Sequence, residues 1–138
     1  MAGSLTLRVI TPDAIVLDEV TDTVVVPATD GLMGILPKHA RMVTALASGS
    51  LKYTRGGQEE HLFVSGGFAE VRNDTLRVIT EASERPSEID VERAERAAER
   101  ARDRMKTRQV DEGEAFDLVR AEASFRRALM RLKVAKRS

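Results

Sequence analysis

The stretch Ser83-Glu84-Arg85-Pro86-Ser87-Glu88-Ile89-Asp90-Val91-Glu92-Arg93-Ala94 divides the chain into two parts of unlike character. All four prolines and eight of the nine glycines lie at or before Pro86; after it there is no proline and one glycine, Gly113. Ile89-Asp90 has the form of a helix start. Asp90 is placed to cap the free N–H groups of a first turn, and Ile89 to staple against Ala94. Reading on, Val91, Ala94, Ala98, Ala101 and Met105 recur at helical spacing. The pattern breaks at Val110-Asp111-Glu112-Gly113, then resumes with Leu118, Ala121, Phe125, Ala128, Leu132 and Ala135. Two amphipathic runs around a short break predict an antiparallel two-helix hairpin over residues 87–138.

Three of the five seam residues on the first helix are alanine. Alanine lets two helices come close but buries little area, at about 0.8 kcal/mol per methylene. A hairpin held this way reads either as a static coiled-coil appendage or as one that can open, or exchange its seam for another surface, at a cost of a few kcal/mol.

Reading back from Pro86, the chain has the period of strands. Leu5, Leu7 and Val9 alternate with Thr6 and Arg8, and Val20 to Val26 opens with the same alternation. Leu51–Thr54 and Glu60–Val64 flank a turn at Arg55-Gly56-Gly57-Gln58, and Phe68–Arg72 and Thr75–Thr80 flank Asn73-Asp74. Short β-rich runs between turn residues predict a β-sandwich or flattened barrel over residues 1–86. The expected fold is thus β followed by α, with a docking domain at 1–86 and a regulatory hairpin at 87–138.

The formal net charge of zero conceals an asymmetry. Residues 1–86 carry 8 basic against 11 acidic side chains, residues 87–138 carry 14 against 11. From Arg126 to Arg137 there are six basic residues (Arg126, Arg127, Arg131, Lys133, Lys136, Arg137) and no acidic one. Cations at a helix C-terminus interact favourably with its dipole, but six exceed what the dipole asks for. Beside the plain reading of a solvated basic face, the excess points to an acidic partner surface or to nucleic acid. Nucleic acid is disfavoured, because the hairpin also carries eleven acidic residues and its aromatics do not interleave with the basic positions.

Catalytic chemistry is thin on the ground. The absence of cysteine excludes disulfides, a thiol nucleophile and thiolate metal sites. No metal-ligand spacing and no Walker-type loop occurs, and Gly66-Gly67 lacks the spacing of a dinucleotide fingerprint, reading instead as a bulge or tight bend. His61, beside Glu59 and Glu60, reads as solvent-facing. No run approaches the roughly 20 apolar residues that span a bilayer, and Met1 to Arg8 lacks the form of a secretory signal. These features fit a non-enzymatic regulatory subunit on the cytosolic side, with no direct membrane insertion. The segment Gly31 to Ala40 stands apart, since its glycines, proline and histidine surround apolar residues that need not all fit inside one sheet face. It reads either as a loop crossing the core or as an apolar docking tip.

Three segments together resemble the epsilon subunit of F-type ATP synthase. Gly31-Leu32-Met33-Gly34-Ile35-Leu36-Pro37-Lys38-His39-Ala40 is similar to its signature loop, Val64-Ser65-Gly66-Gly67-Phe68-Ala69-Glu70-Val71 to its second signature, and Ile89-Asp90-Val91-Glu92-Arg93-Ala94 to the motif that opens its hairpin. Order and spacing agree over nearly the whole chain. The resemblance implies a central-stalk subunit, peripheral to the inner or thylakoid membrane, without a catalytic site or required cofactor of its own. Its β domain would dock gamma and the c-subunit ring through Gly31, Leu32, Met33, Gly34, Ile35, Pro37 and His39. Its hairpin, when extended, would reach the alpha and beta catalytic subunits and inhibit ATP hydrolysis, with Arg126, Arg127, Arg131, Lys133, Lys136 and Arg137 meeting an acidic segment of the beta subunits. Some members bind ATP as a regulatory ligand in the folded hairpin; the matching positions are Glu84, Ile89, Asp90, Arg93, Arg100, Arg127 and Arg131. Two departures stand out: Arg41 replaces the family's usual proline, and Leu32 stands where some relatives are acidic. The competing reading is a generic interaction module with a coiled-coil arm.

Overall fold

The structure, a computed structural model, describes residues 3–107 and 114–137. Its N-terminal part is built from eight strands among the described residues: β1 Leu5–Ile10, β2 Ile15–Thr21, β3 Thr23–Ala28, β4 Gly31–Ile35, β5 Met42–Arg55, β6 Gln58–Arg72, β7 Thr75–Ile79 and β8 Ser83–Glu84. The pairing order is β2-β1-β7-β6-β5-β3-β4, with β8 on β6. A 3-10 turn at Pro86–Glu88 leads to α1 Val91–Thr107 and α2 Glu114–Ala135. The expected β-sandwich and helical hairpin are both present. The break expected at Val110–Gly113 falls outside the described residues.

Strands β5 and β6 run through both layers of the sandwich. They pair from Met42↔Val71 to Arg55↔Gln58. The Val71 half of β6 also pairs with β7, while the Phe63 half pairs with β8. The strand changes direction at Gly66 and Gly67, whose φ angles of 105° and 116° favour glycine. A Cβ on Gly67 would lie 1.9 Å from the Ile79 carbonyl oxygen. The bend read from this pair is therefore real, and it joins what looked like two strands into one. A small polar knot holds it. The Ser65 N–H donates to Thr80 Oγ1 at 3.2 Å, and the Ala82 N–H donates to Ser65 Oγ at 2.9 Å.

Other boundaries differ too. The run Val20 to Val26 is split at Asp22, where the chain leaves one layer for the other. The Asp22 N–H donates to Thr54 O, and its carboxylate accepts from the Gly56 N–H. The Gly56-Gly57 and Asn73-Asp74 turns are where the sequence puts them, and Asn73 and Asp74 both adopt positive φ, as a tight hairpin turn requires. The inner residues of the two layers, among them Leu5, Leu7, Val24, Val26, Leu51, Leu62, Val71 and Leu76, form one core.

A second, smaller core lies outside the first. Strand β6 reads Leu62-Phe63-Val64, and all three side chains are buried. Alternation sends Leu62 and Val64 inward and Phe63 outward. Phe63 is buried because α2 lies over it, bringing Val134 and Met130, and Ile89 joins from the linker. Asp90 caps α1 as its position suggests: the Arg93 N–H donates to Asp90 Oδ1 at 3.0 Å. In the helix seam Ala94, Ala98, Ala101, Ala121 and Ala128 are buried, but Val91 is exposed. The seam is thus more alanine-rich than the spacing proposed, and Val134, off the expected stripe, carries the contact with the sheet.

His61 is a correction. It shares the outer face of β6 with Phe63, and its side chain is only 12% exposed. Burial, first, and then the positive charge of Arg137 at the end of α2 hold its imidazole below the ordinary value, with Glu59 pulling the other way.

Candidate functional site

The predicted hairpin residues converge on a cleft between the β part and the two helices. The cleft, about 350 Å³, is lined by Glu84, Asp90, Arg93, Arg100 and Arg131, with Ala82, Ala94 and Ala97 as its floor. Arg93 and Arg100 are two turns apart on α1, so they share a face. Arg131 comes from the last turns of α2, which places α2's C-terminal end beside α1's N-terminal end. Its Nε donates to Glu84 Oε1 at 2.6 Å, and its guanidinium lies 4.5 Å from the centre of the Phe63 ring. One arginine therefore ties α2 both to a carboxylate on β8 and to the second core. Such partly buried ionic and cation–π contacts are each worth on the order of 1 kcal/mol.

Two expected members stay out of the cleft lining. Ile89 is buried beside Phe63 and Val134, where it positions the start of α1. Arg127 turns to Ser124, whose Oγ accepts from Nη2 at 3.1 Å. In the rest of the basic run, Arg126 donates to the Ser48 carbonyl at 3.2 Å, while Lys133, Lys136 and Arg137 are exposed. The hairpin is folded down, with part of its basic end already spent on the β domain.

The Gly31–His39 segment is not a loop throughout. Gly31–Ile35 form β4 on the sheet edge, paired to β3. Alternation sends Met33 and Ile35 inward; Ile35 is fully buried and Met33 packs on the main core. The expectation that both belong to a docking tip is corrected. Leu32, 77% exposed, and Leu36 are what this segment presents to solvent. Beyond it Lys38 has φ 66°, and its N–H donates to Asp74 Oδ1. His39 is half-buried, its Nδ1 donating to the Ala40 carbonyl at 2.7 Å.

The sequence reading did not single out the outer face of the other layer. Register aligns Ile15, Ile10, Ile79, Phe68 and Ala45 across β2, β1, β7, β6 and β5. Ile15, Ile79 and Phe68 in this row are exposed. At one end the row opens on a depression of about 450 Å³, bounded by Ile10, Pro12, Phe68 and Ile79 and by the bare backbone of Gly66 and Gly67. The signal was available in strand parity: Ala69 and Val71 point inward, so Phe68 must point out.

Among the described residues, one face of the β-sandwich is covered by the chain's own helical hairpin and the other carries an uncovered apolar row, a β-sandwich and two-helix architecture. The family profile described as the ATP synthase delta/epsilon chain beta-sandwich domain matches residues 4–86, and that of the long alpha-helix domain matches residues 87–136. The chain belongs to this ATP synthase delta/epsilon family. It is 43% identical to the ATP synthase epsilon chain of Nitratidesulfovibrio vulgaris over 134 residues, covering 97% of both chains. To that of Desulforamulus reducens it is 42% identical over 135 residues, 98% of this chain and 99% of the relative. A chain in the Euglena gracilis mitochondrial ATP synthase (OSCP/F1/c-ring, rotational state 1) superposes with a TM-score of 0.77 at 26% identity, over 91% of this chain and 78% of that one. A chain of the Tetrahymena thermophila mitochondrial central stalk and c-ring shares the fold, with a TM-score of 0.66 at 13% identity, over 97% and 98% of the two chains.

Proposed function

We propose that this chain is the central-stalk subunit that couples proton-driven rotation to ATP synthesis, and that its hairpin restrains ATP hydrolysis when it leaves the β domain. The β part docks gamma and the c-subunit ring, on the cytoplasmic side of the membrane; the extended hairpin meets the alpha and beta subunits. The observation that carries the switch is how lightly the hairpin is held. Its contact with the sheet centres on Phe63, Ile89, Val134 and the Arg131–Glu84 pair. Fully burying a side chain such as Val or Phe contributes about 1.5–3 kcal/mol, so release costs on the order of a few kcal/mol, within reach of a partner that binds the open form. The alanine seam leaves the two helices free to part as well.

In the folded form the cleft suits ATP as a regulatory ligand. Arg93, Arg100 and Arg131 supply guanidiniums for a triphosphate, and Asp90 and Glu84 supply acceptors for ribose hydroxyls or an exocyclic amine. Its volume is at the lower end of the range for small-molecule sites. A bound nucleotide would join α1, α2 and β8, and so favour the folded state. The test uses the assembled complex. Ending the chain at Pro86 should raise ATP hydrolysis several-fold while the truncated subunit still co-purifies with gamma; unchanged hydrolysis would mean that the hairpin does not inhibit. Calorimetry with millimolar ATP on the isolated chain should show binding that Arg93→Ala abolishes.

A further inference from the structure

The bare sheet face ends in a basic corner. Three rows cross it. The apolar row holds Phe68 and Ile79; the next aligns Asp18, Arg8, Arg77, Glu70 and Val43; the last reaches Thr6, Thr75 and Arg72. Met42 and Val71 are a registered pair facing the core, so Arg41 and Arg72, one residue beyond each, leave the sheet on its outer side. Between them and Lys38 lies a cleft of about 390 Å³, completed by His39, Asn73 and Asp74.

The charges in this cleft do not balance. Lys38, Arg41 and Arg72 are exposed, and none of them forms an ion pair among the described residues. Asp74 is the one carboxylate in the lining, and it accepts from the Lys38 N–H, which fixes the turn at Lys38 against the β6–β7 hairpin. Arg8, in the adjacent row two strands away, has its own partner in Asp18 at 3.4 Å. At this corner, unlike at Arg8, two guanidiniums and an ammonium line one cavity with Asp74 as its single carboxylate and no ion pair among the described residues. Guanidiniums held on two neighbouring strand ends are suited to a planar, bidentate acceptor.

We infer that this cleft receives a carboxylate from the protein partner that seats on the bare face: an acidic side chain at the edge of an otherwise apolar contact. The inference rests on the reading that gamma docks on the β part; it places that contact on this face and adds the chemistry that orients it. The apolar row supplies adhesion that is indifferent to sliding along the row, across the strands. The basic corner supplies one fixed point, and with it the register of the docked partner and electrostatic steering of its approach.

The test measures association and dissociation rates of the full-length chain with purified gamma. Arg41→Glu combined with Arg72→Glu should slow association about tenfold at low salt and remove most of its salt dependence. Phe68→Ala should speed dissociation and leave association nearly unchanged. The doubly neutral variant, Arg41→Gln with Arg72→Gln, should fall between wild type and the reversal, and urea midpoints confirm that each variant is folded. Wild-type binding to gamma with an association rate indifferent to the reversal would overturn the carboxylate site alone. Absence of wild-type binding would overturn the docking reading and the site together. Wild-type binding to phosphatidylglycerol vesicles that the reversal abolishes would assign the cleft to a lipid phosphate and overturn the carboxylate.

Discussion

Phe63 and Phe68 stand five residues apart on one strand and meet opposite fates. Phe63 is fully buried; Phe68 is 58% exposed. Both point away from the main core. Between them the strand bends at Gly66-Gly67 and passes from one layer to the other, so the two rings sit on the two outer faces of the sandwich. One face carries its own lid, α2. The other has none among the described residues. The contrast separates what the molecule does for itself from what it leaves to a partner: the Phe63 face answers to the hairpin, and the Phe68 face keeps its apolar row for another surface.

The strongest way to break this contrast is to remove the bend. Gly67→Ala puts a Cβ at 1.9 Å from the Ile79 carbonyl oxygen and forces a side chain onto φ 116°. Urea unfolding should show a loss of about 4 kcal/mol or more, or no cooperative transition. Gly66→Ala, whose Cβ would meet the Leu46 carbonyl oxygen at 3.3 Å, should cost about 1–3 kcal/mol. Equal effects at the two glycines would show that the bend tolerates a shift of β7.

The paired substitution Phe63→Ala and Phe68→Ala sharpens the contrast directly. The first empties the second core, and should cost about 3–4 kcal/mol if the hairpin stays docked, or expose the hairpin to protease if it does not. The second, at an exposed site, should change stability by less than about 0.5 kcal/mol. Similar losses would mean that the Phe68 face is already covered.

The smallest expected effect is electrostatic. His61 lies under the end of α2, with Arg137 and Lys52 opposing its protonation and Glu59 favouring it. Because its folded value is depressed, the unfolded chain binds the extra proton more readily. Stability should therefore fall as pH drops below the ordinary imidazole value of 6.5 and level off below the folded value. His61→Gln should flatten that slope; an unchanged slope in a pH series of unfolding midpoints would place the titration elsewhere.

Local signals carried much of the fold. Gly56-Gly57, Asn73-Asp74 and Asp90 each declare their turn or cap through backbone chemistry that needs no distant partner. The family resemblance grouped Glu84, Asp90, Arg93, Arg100 and Arg131 with Ile89 and Arg127, and the first five line one cleft. The sequence did not show what depends on distant contacts. His61 reads as solvent-facing because nothing nearby says that α2 will cover it and its neighbour Phe63. Val134 looked off-stripe because its partner is a sheet, not the other helix. Strand β6 seemed divided because a glycine pair signals a bend without saying whether pairing continues through it. For Met33 and Ile35, parity along β4 would have been the better guide than their apolar neighbours.

The continuity of β5 and β6 through both layers has a mechanical side. Two sheets joined only by loops can slide over one another, with side-chain packing as the sole resistance. Here a pull on the Phe68 face travels along covalent backbone, through the Gly66-Gly67 corner, into the layer that carries the hairpin. The long β5–β6 ladder, from Met42↔Val71 to Arg55↔Gln58, resists that pull in shear, many hydrogen bonds at once. The sandwich is therefore built as a stiff bracket, and force applied at one face reaches the other without first deforming the core.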